Sequence, residues 1–378
     1  MTFNRFSKAA LTALTLGLSS VGIVEAKDFR LGTIVPSGHA WSEAARAFAE
    51  DLAEASGGAH SVEVFPAGQL GSEEQMVQQL QTGALDFAFL TIADVSNRIP
   101  AFGALYTPFL VEDTGEAAKI LKGDTTQALL DRLPQEMGVV GIGYGLAAMR
   151  QMMATAPVEN LGDLEGLKMR ITPFKPFRDF YDLLGIAPTP MPLPDVYDAL
   201  ANGQVDAMDI DAELVVNFKF YERADHLLLT NHAMFPMVGL VSGRVWADLS
   251  DEDKEMVREH MRAALSELMD HYVEAEPQLI GQIEETGIEV RKVDPAFFGD
   301  VTARWEEVWA DQKDVIDALR ADALKSFGEY AKAHDEARIA VGLDPNSIPG
   351  HQVLADTAHG LHVQPVFGRN NRRRTRSP

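Results

Sequence analysis

Phe29-Arg30-Leu31-Gly32-Thr33-Ile34-Val35, followed by Trp41, Ala44, Ala45, Phe48 and Leu52 on one helical stripe, is the stretch that decides the fold. The first run reads as a strand and the second as an amphipathic helix that stops at Gly57-Gly58. The unit then repeats. Ser61 to Phe65 reads as a strand, and Ser72 with Gln75 three residues on is a capping-box start for a helix that carries Met76 and Leu80 to Gly83. Leu85 to Leu90 reads as a third strand. The same alternation continues at Val139 to Tyr144, Met149 to Ala154, Lys168 to Thr172, Val205 to Ile210 and Met234 to Ser242. Alternating β and α units predict an α/β chain with mainly parallel sheets. After Ser250 the pattern changes to a long helical stretch with an interruption expected near Pro277, a short strand from Ile288 to Val293, and helix-favouring sequence from about Pro295 to Ala340.

Strands lie on both sides of every candidate boundary, so the chain is expected to form two lobes and to cross between them more than once. The assignment is lobe I from 27–148 and about 236–275, lobe II from about 149–235 and 276–305, and a helical segment over about 306–340. Crossing strands of this kind make a hinge and a cleft. Residues 341–378, rich in Pro, Gly, His and Asn and ending in a basic cluster, read as a disordered extension; an RNA- or lipid-binding tail is the other reading.

Composition narrows the function. With 33 basic against 56 acidic residues the surface repels nucleic acid and anionic membranes, so neither is an expected partner. The absence of cysteine removes disulfides, thiolate metal sites and cysteine catalysis. At the N-terminus Arg5 and Lys8 precede an apolar run from Ala9 to Val24 and the small-residue end Val24-Glu25-Ala26. This reads as an export signal cleaved after Ala26, which places the mature chain in the periplasm, with a retained anchor as the alternative.

No Gly-x-Ser-x-Gly elbow, His-Glu-x-x-His or phosphate-binding loop is present. Gly141-Ile142-Gly143-Tyr144-Gly145 has the wrong spacing for a dinucleotide site and reads instead as a strand on which another element packs closely. No metal site, catalytic residue or cofactor is expected. Acidic pairs such as Glu73-Glu74 sit at helix starts, where carboxylates offset the macrodipole.

Arg150 and Arg170 are different, because each falls inside an apolar strand-like run, Ala147 to Met153 and Leu167 to Ile171. A guanidinium in such a place requires an anion. Either one of the chain's own carboxylates supplies it, or a ligand carboxylate does, held through the planar fork.

Seven segments stand in order along the chain: Phe65 to Gly71, Gly83 to Ala88, Pro108-Phe109-Leu110, Asp163 to Arg170, Pro188 to Pro192, Val196 to Leu200 and Lys219 to Glu222. In them the chain resembles the extracytoplasmic solute-binding proteins of tripartite ATP-independent periplasmic (TRAP) transporters, the family of C4-dicarboxylate and sialic acid receptors. The resemblance implies a two-lobed fold with long C-terminal helices that closes on a small organic acid and delivers it to integral membrane subunits. It further implies that Arg170 is the principal carboxylate ligand and Arg150 its assistant.

The departures are as informative. Asp206-Ala207-Met208-Asp209-Ile210-Asp211 stands where relatives commonly read Asp-Gly-Gln-Glu-Asn-Pro, so Ile210 replaces a ligand-binding amide and Asp211 a proline. Asp211 either contacts ligand or caps the helix expected from Ala212 to Phe220. Pro173-Phe174 in place of a polar pair, with Leu193 as an apolar wall, favours a smaller or more apolar acid over a polyhydroxylated sugar acid. His39, Trp41 and Thr91 are further wall candidates, Trp41 being equally a helix-packing residue. The expected function is that of a receptor. The rivals are an exported hydrolase or lyase using Arg170 as a substrate clamp, and a receptor for an ATP-driven importer or a sensor kinase.

Overall fold

The protein is described from a computed structural model, which covers residues 26–326. The leader up to Glu25, the helical sequence expected over 327–340 and the tail 341–378 lie outside the described residues.

Among the described residues eleven strands form two sheets. They are β1 (Lys27–Thr33), β2 (His60–Phe65), β3 (Phe87–Thr91), β4 (Val139–Leu146), β5 (Gln151–Ala154), β6 (Lys168–Ile171), β7 (Ala187–Pro190), β8 (Ala207–Ile210), β9 (His226–Leu229), β10 (Pro236–Ser242) and β11 (Glu289–Lys292). One sheet has the order β2-β1-β3-β10-β4 and the other β11-β9-β5-β8-β6-β7. The architecture is a two-lobed α/β fold with a long helix near its C-terminal end, as the sequence predicts.

The sheets are mixed, whereas the sequence predicts mainly parallel ones. The βα units give parallel pairs, β1 with β2 and β3, and β6 with β7 and β8. Strand β10 runs antiparallel to β3 and β4, and β5 antiparallel to β8 and β9. A chain that leaves one sheet through β4 and β5 and returns through β9 and β10 must run back beside itself. The two crossings form one antiparallel ladder between the sheets, with Ala147 N–H donating to Phe235 O (3.0 Å) and Arg150 N–H to Ala233 O (2.9 Å).

Helix Asp251–Glu285 is unbroken at Pro277, contrary to expectation. Proline removes one donor from the helix ladder, leaving the Val273 carbonyl without its partner four residues on. Both Pro277 and Val273 are exposed, so water can satisfy that carbonyl. The helix starts where predicted, with Ser250 Oγ accepting from Asp253 N–H (3.0 Å). It lies on the glycine strand β4: a methyl group added at Gly145 would come within 2.9 Å of Leu268 Cδ2. The glycines therefore serve close packing. Strands β7 and β9 were not legible in advance; β7 is an edge strand whose Pro188 and Pro190 are tolerated only there.

Candidate functional site

A cavity of about 550 Å³ is bounded by residues of both sheets and of the crossing ladder. Ile34, His39, Trp41, Glu73 and Thr91 come from the first-sheet side, Arg150 and Phe235 from the crossings, and Arg170, Leu193 and Asp211 from the second-sheet side.

Arg170 sits next to the end of β6 with 3% of its surface exposed. Its Nε and Nη2 donate to Met191 O (3.1 and 3.0 Å) and its Nη1 to the Asp209 main-chain O (3.2 Å). No carboxylate forms an ion pair with it among the described residues. Burial, and then the neighbouring Arg150, pull its pKa down to about 10, so it stays charged at neutral pH. Three of the five guanidinium N–H groups are used, which leaves one on each Nη for an anion in the cavity.

Arg150, on the crossing between β4 and β5, is in the opposite state. Its Nε donates to Asp209 Oδ1 (2.6 Å) with Nη2 on the same oxygen, Nη1 donates to Asp211 Oδ2 (2.9 Å), and its Cζ lies 4.4 Å from the Phe235 ring centroid. Asp209 also accepts from Tyr181 Oη (2.7 Å) and lies 2.9 Å from His232 Nε2. Burial would raise the Asp209 pKa, but Arg150, His232 and Tyr181 outweigh it and hold it at about 2. For Asp211 burial wins over the same arginine, and its pKa is raised. The Asp211 side chain also caps helix Ala212–Asn217, Oδ1 accepting from Leu214 N–H (3.0 Å). The helix is shorter than the expected run to Phe220.

Thr91 reaches the cavity with Glu73, a residue assigned from sequence only to helix-dipole compensation. Glu73 does begin helix Glu73–Thr82, inside the predicted Ser72/Gln75 capping box. It also lines the cavity, accepting from Thr91 N–H (2.6 Å) and Thr91 Oγ (2.9 Å), and burial pushes its pKa up to about 7.

Trp41 and His39 serve packing and the cavity together. Trp41 donates from Nε1 to Leu146 O (3.0 Å). His39 caps helix Ala40–Ala55, its Nδ1 accepting from Trp41 N–H, and burial takes its pKa down to about 4. The neutral ring therefore carries its proton on Nε2, which lies 3.3 Å from Glu213 Oε2. Glu213 in turn accepts from Ala40 N–H (3.0 Å) and from Tyr272 Oη of the long helix.

Ile210 and Phe174 are not on the cavity wall. Ile210 is wholly buried in the second-sheet core with Leu193, Val196 and Leu214. Phe174 packs among Tyr106, Phe177 and Phe235. Asp209, Tyr181, His232 and Glu213 are absent from the sequence-derived set. Asp209 carried the same signal as the arginines, a charged residue inside an apolar strand. No group of His, Asp and Glu side chains among the described residues is placed to hold a metal ion.

The family model described as bacterial extracellular solute-binding protein, family 7, matches residues 31–314. The chain is similar to the sialic acid-binding periplasmic protein SiaP of Vibrio cholerae, 25% identical over 75% of this chain and 88% of that protein. Among solved structures, a TRAP periplasmic solute-binding protein of Bradyrhizobium in complex with galacturonate superposes with a TM-score of 0.74 at 31% identity, over 78% of this chain and 100% of that one. Another, from Polaromonas and bound to D-erythronate, matches with a TM-score of 0.74 at 27% identity, over 78% and 98%.

Proposed function

The chain belongs to bacterial extracellular solute-binding protein family 7, whose members are receptors of TRAP transporters, and from that premise we propose that it captures a small hydroxylated carboxylic acid against Arg170. The observation that carries this reading is a buried guanidinium that faces a cavity and, among the described residues, donates to main-chain carbonyls and forms no ion pair. An anion from outside completes it at no cost to an internal ion pair.

Glu73, Glu74 and Asp94 add carboxylate acceptors to the cavity wall, and Phe174 does not reach it. Both features favour a ligand with hydroxyl donors over the smaller, more apolar acid expected from sequence. Galacturonate and D-erythronate, bound by two relatives, are acids of that class. The lobes, 27–148 with 236–275 and 149–235 with 276–305, close about the crossing ladder and bury the acid. The closed form is then the one read by the integral membrane subunits in the periplasm, after removal of the leader at Ala26.

Charge-assisted hydrogen bonds contribute about 1.5–3 kcal/mol each. Arg170→Ala is expected to weaken binding of the cognate acid about a hundred-fold or more, by titration calorimetry after a thermal-shift screen of hydroxy and sugar acids. Binding within a few-fold of wild type would remove Arg170 from the site.

A further inference from the structure

Arg150 and Arg170 line one cavity but differ in charge balance. Arg150 is ion-paired with two carboxylates, Asp209 and Asp211, and Arg170, among the described residues, with none. Asp209 is wholly buried behind the wall, where it also accepts from Tyr181, and it already neutralises Arg150. Asp211 is the second, and unlike Asp209 it lines the cavity. Its capping bond to Leu214 uses Oδ1 alone and needs no charge, since an asparagine caps equally well. The pairing of Oδ2 with Arg150 Nη1 is therefore a separate function of the side chain.

We propose that Asp211 is a built-in carboxylate standing where a second ligand carboxylate would meet Arg150, so that the cavity accepts acids with one carboxylate and rejects their dicarboxylic counterparts. The inference rests on the receptor reading above and names its ligand class more narrowly. A ligand's first carboxylate goes to Arg170. A second would find the other guanidinium already engaged and would face Glu74 and Asp94 on the first-sheet side of the cavity and Asp211 on the second-sheet side. Like charges brought together in a water-poor cavity repel more strongly than in solvent.

The test uses two matched pairs in which only one terminus differs, D-erythronate with meso-tartrate and D-galactonate with galactarate. Calorimetry at fixed ionic strength compares wild type with Asp211→Asn, which keeps Oδ1 for the Leu214 cap and loses the charge. Wild type is expected to bind the monoacid of a pair more tightly. In Asp211→Asn the affinity ratio is expected to move toward the diacid by about tenfold or more. An unchanged ratio, or a wild type that prefers the diacids, overturns the inference. Arg170→Ala run alongside separates the two levels. If it loses the monoacid while Asp211→Asn leaves the ratio unchanged, only the role of Asp211 falls. If it binds as wild type does, the site itself falls and the inference with it. Failure of wild type and Asp211→Asn to bind any of the four acids also overturns it.

Discussion

Thr91 donates both its amide and its hydroxyl to Glu73, and both bonds favour the ionised carboxylate over the neutral acid. Burial opposes them and wins, which is why Glu73 titrates near 7. Removing one donor must let burial win by more. Thr91→Val is expected to raise the Glu73 midpoint by about one unit, followed by carbon NMR of a labelled glutamate side chain; a midpoint that stays put or falls would contradict this account. The same scale explains what could be read in advance. A guanidinium in an apolar strand is anomalous wherever the chain folds, so Arg150 and Arg170 were legible. Ile210 was misplaced because adjacent residues of a strand point to opposite faces. With Asp209 and Asp211 both turned to Arg150, Ile210 between them must enter the core. Glu73 was given one role, although a residue at a helix start can cap the field and face a cavity together.

Among the elements, the long helix governs the crossings as well as covering β4. Glu276, buried on that helix, accepts from Met149 N–H (2.8 Å) in the first crossing, next to Arg150. Burial pushes its pKa from an ordinary 4.5 to about 7. Between those values the folded chain holds a proton that the unfolded chain has released, so this group's contribution to stability falls as pH rises. The span sets a ceiling of about 3 kcal/mol. Glu276→Gln keeps an acceptor for Met149 and cannot ionise. Its melting temperature relative to wild type is therefore expected to be higher at pH 8 than at pH 5, and a difference independent of pH would exclude Glu276 as the source. Most elements were readable from periodicity and caps, because strand and helix spacings and the Ser72 and Ser250 starts are local signals. The continuity of the helix through Pro277 was not, since it depends on which side of the helix meets water. The direction of β5 and β10 was not either, since it follows from the return path of the chain.

At the scale of the whole molecule, the residues that tie the two sheets together come from distant parts of the sequence, and no local pattern marks them. Glu213, just after β8 in the second sheet, reaches the first turn of helix Ala40–Ala55, which packs on the first sheet, and also meets Tyr272 on the long helix. A carboxylate at a helix N-terminus is held by exposed N–H groups and by the positive end of the dipole. On the lobe assignment proposed above, donor and acceptor belong to opposite lobes, so the bond would be made only when the lobes are close and its free energy would belong to the closed form alone. Glu213→Ala is expected to shift the population toward open forms and so to weaken ligand binding by roughly the factor by which the closed fraction falls. Spin labels at the exposed positions Asp51 and Glu165, one beside each sheet, measure the separation directly. The alanine variant should show longer distances than wild type, and Glu213→Gln, which keeps an acceptor for Ala40, should lie between them. Indistinguishable distance distributions in all three proteins would mean that Glu213 packs the interface without setting the equilibrium between its states.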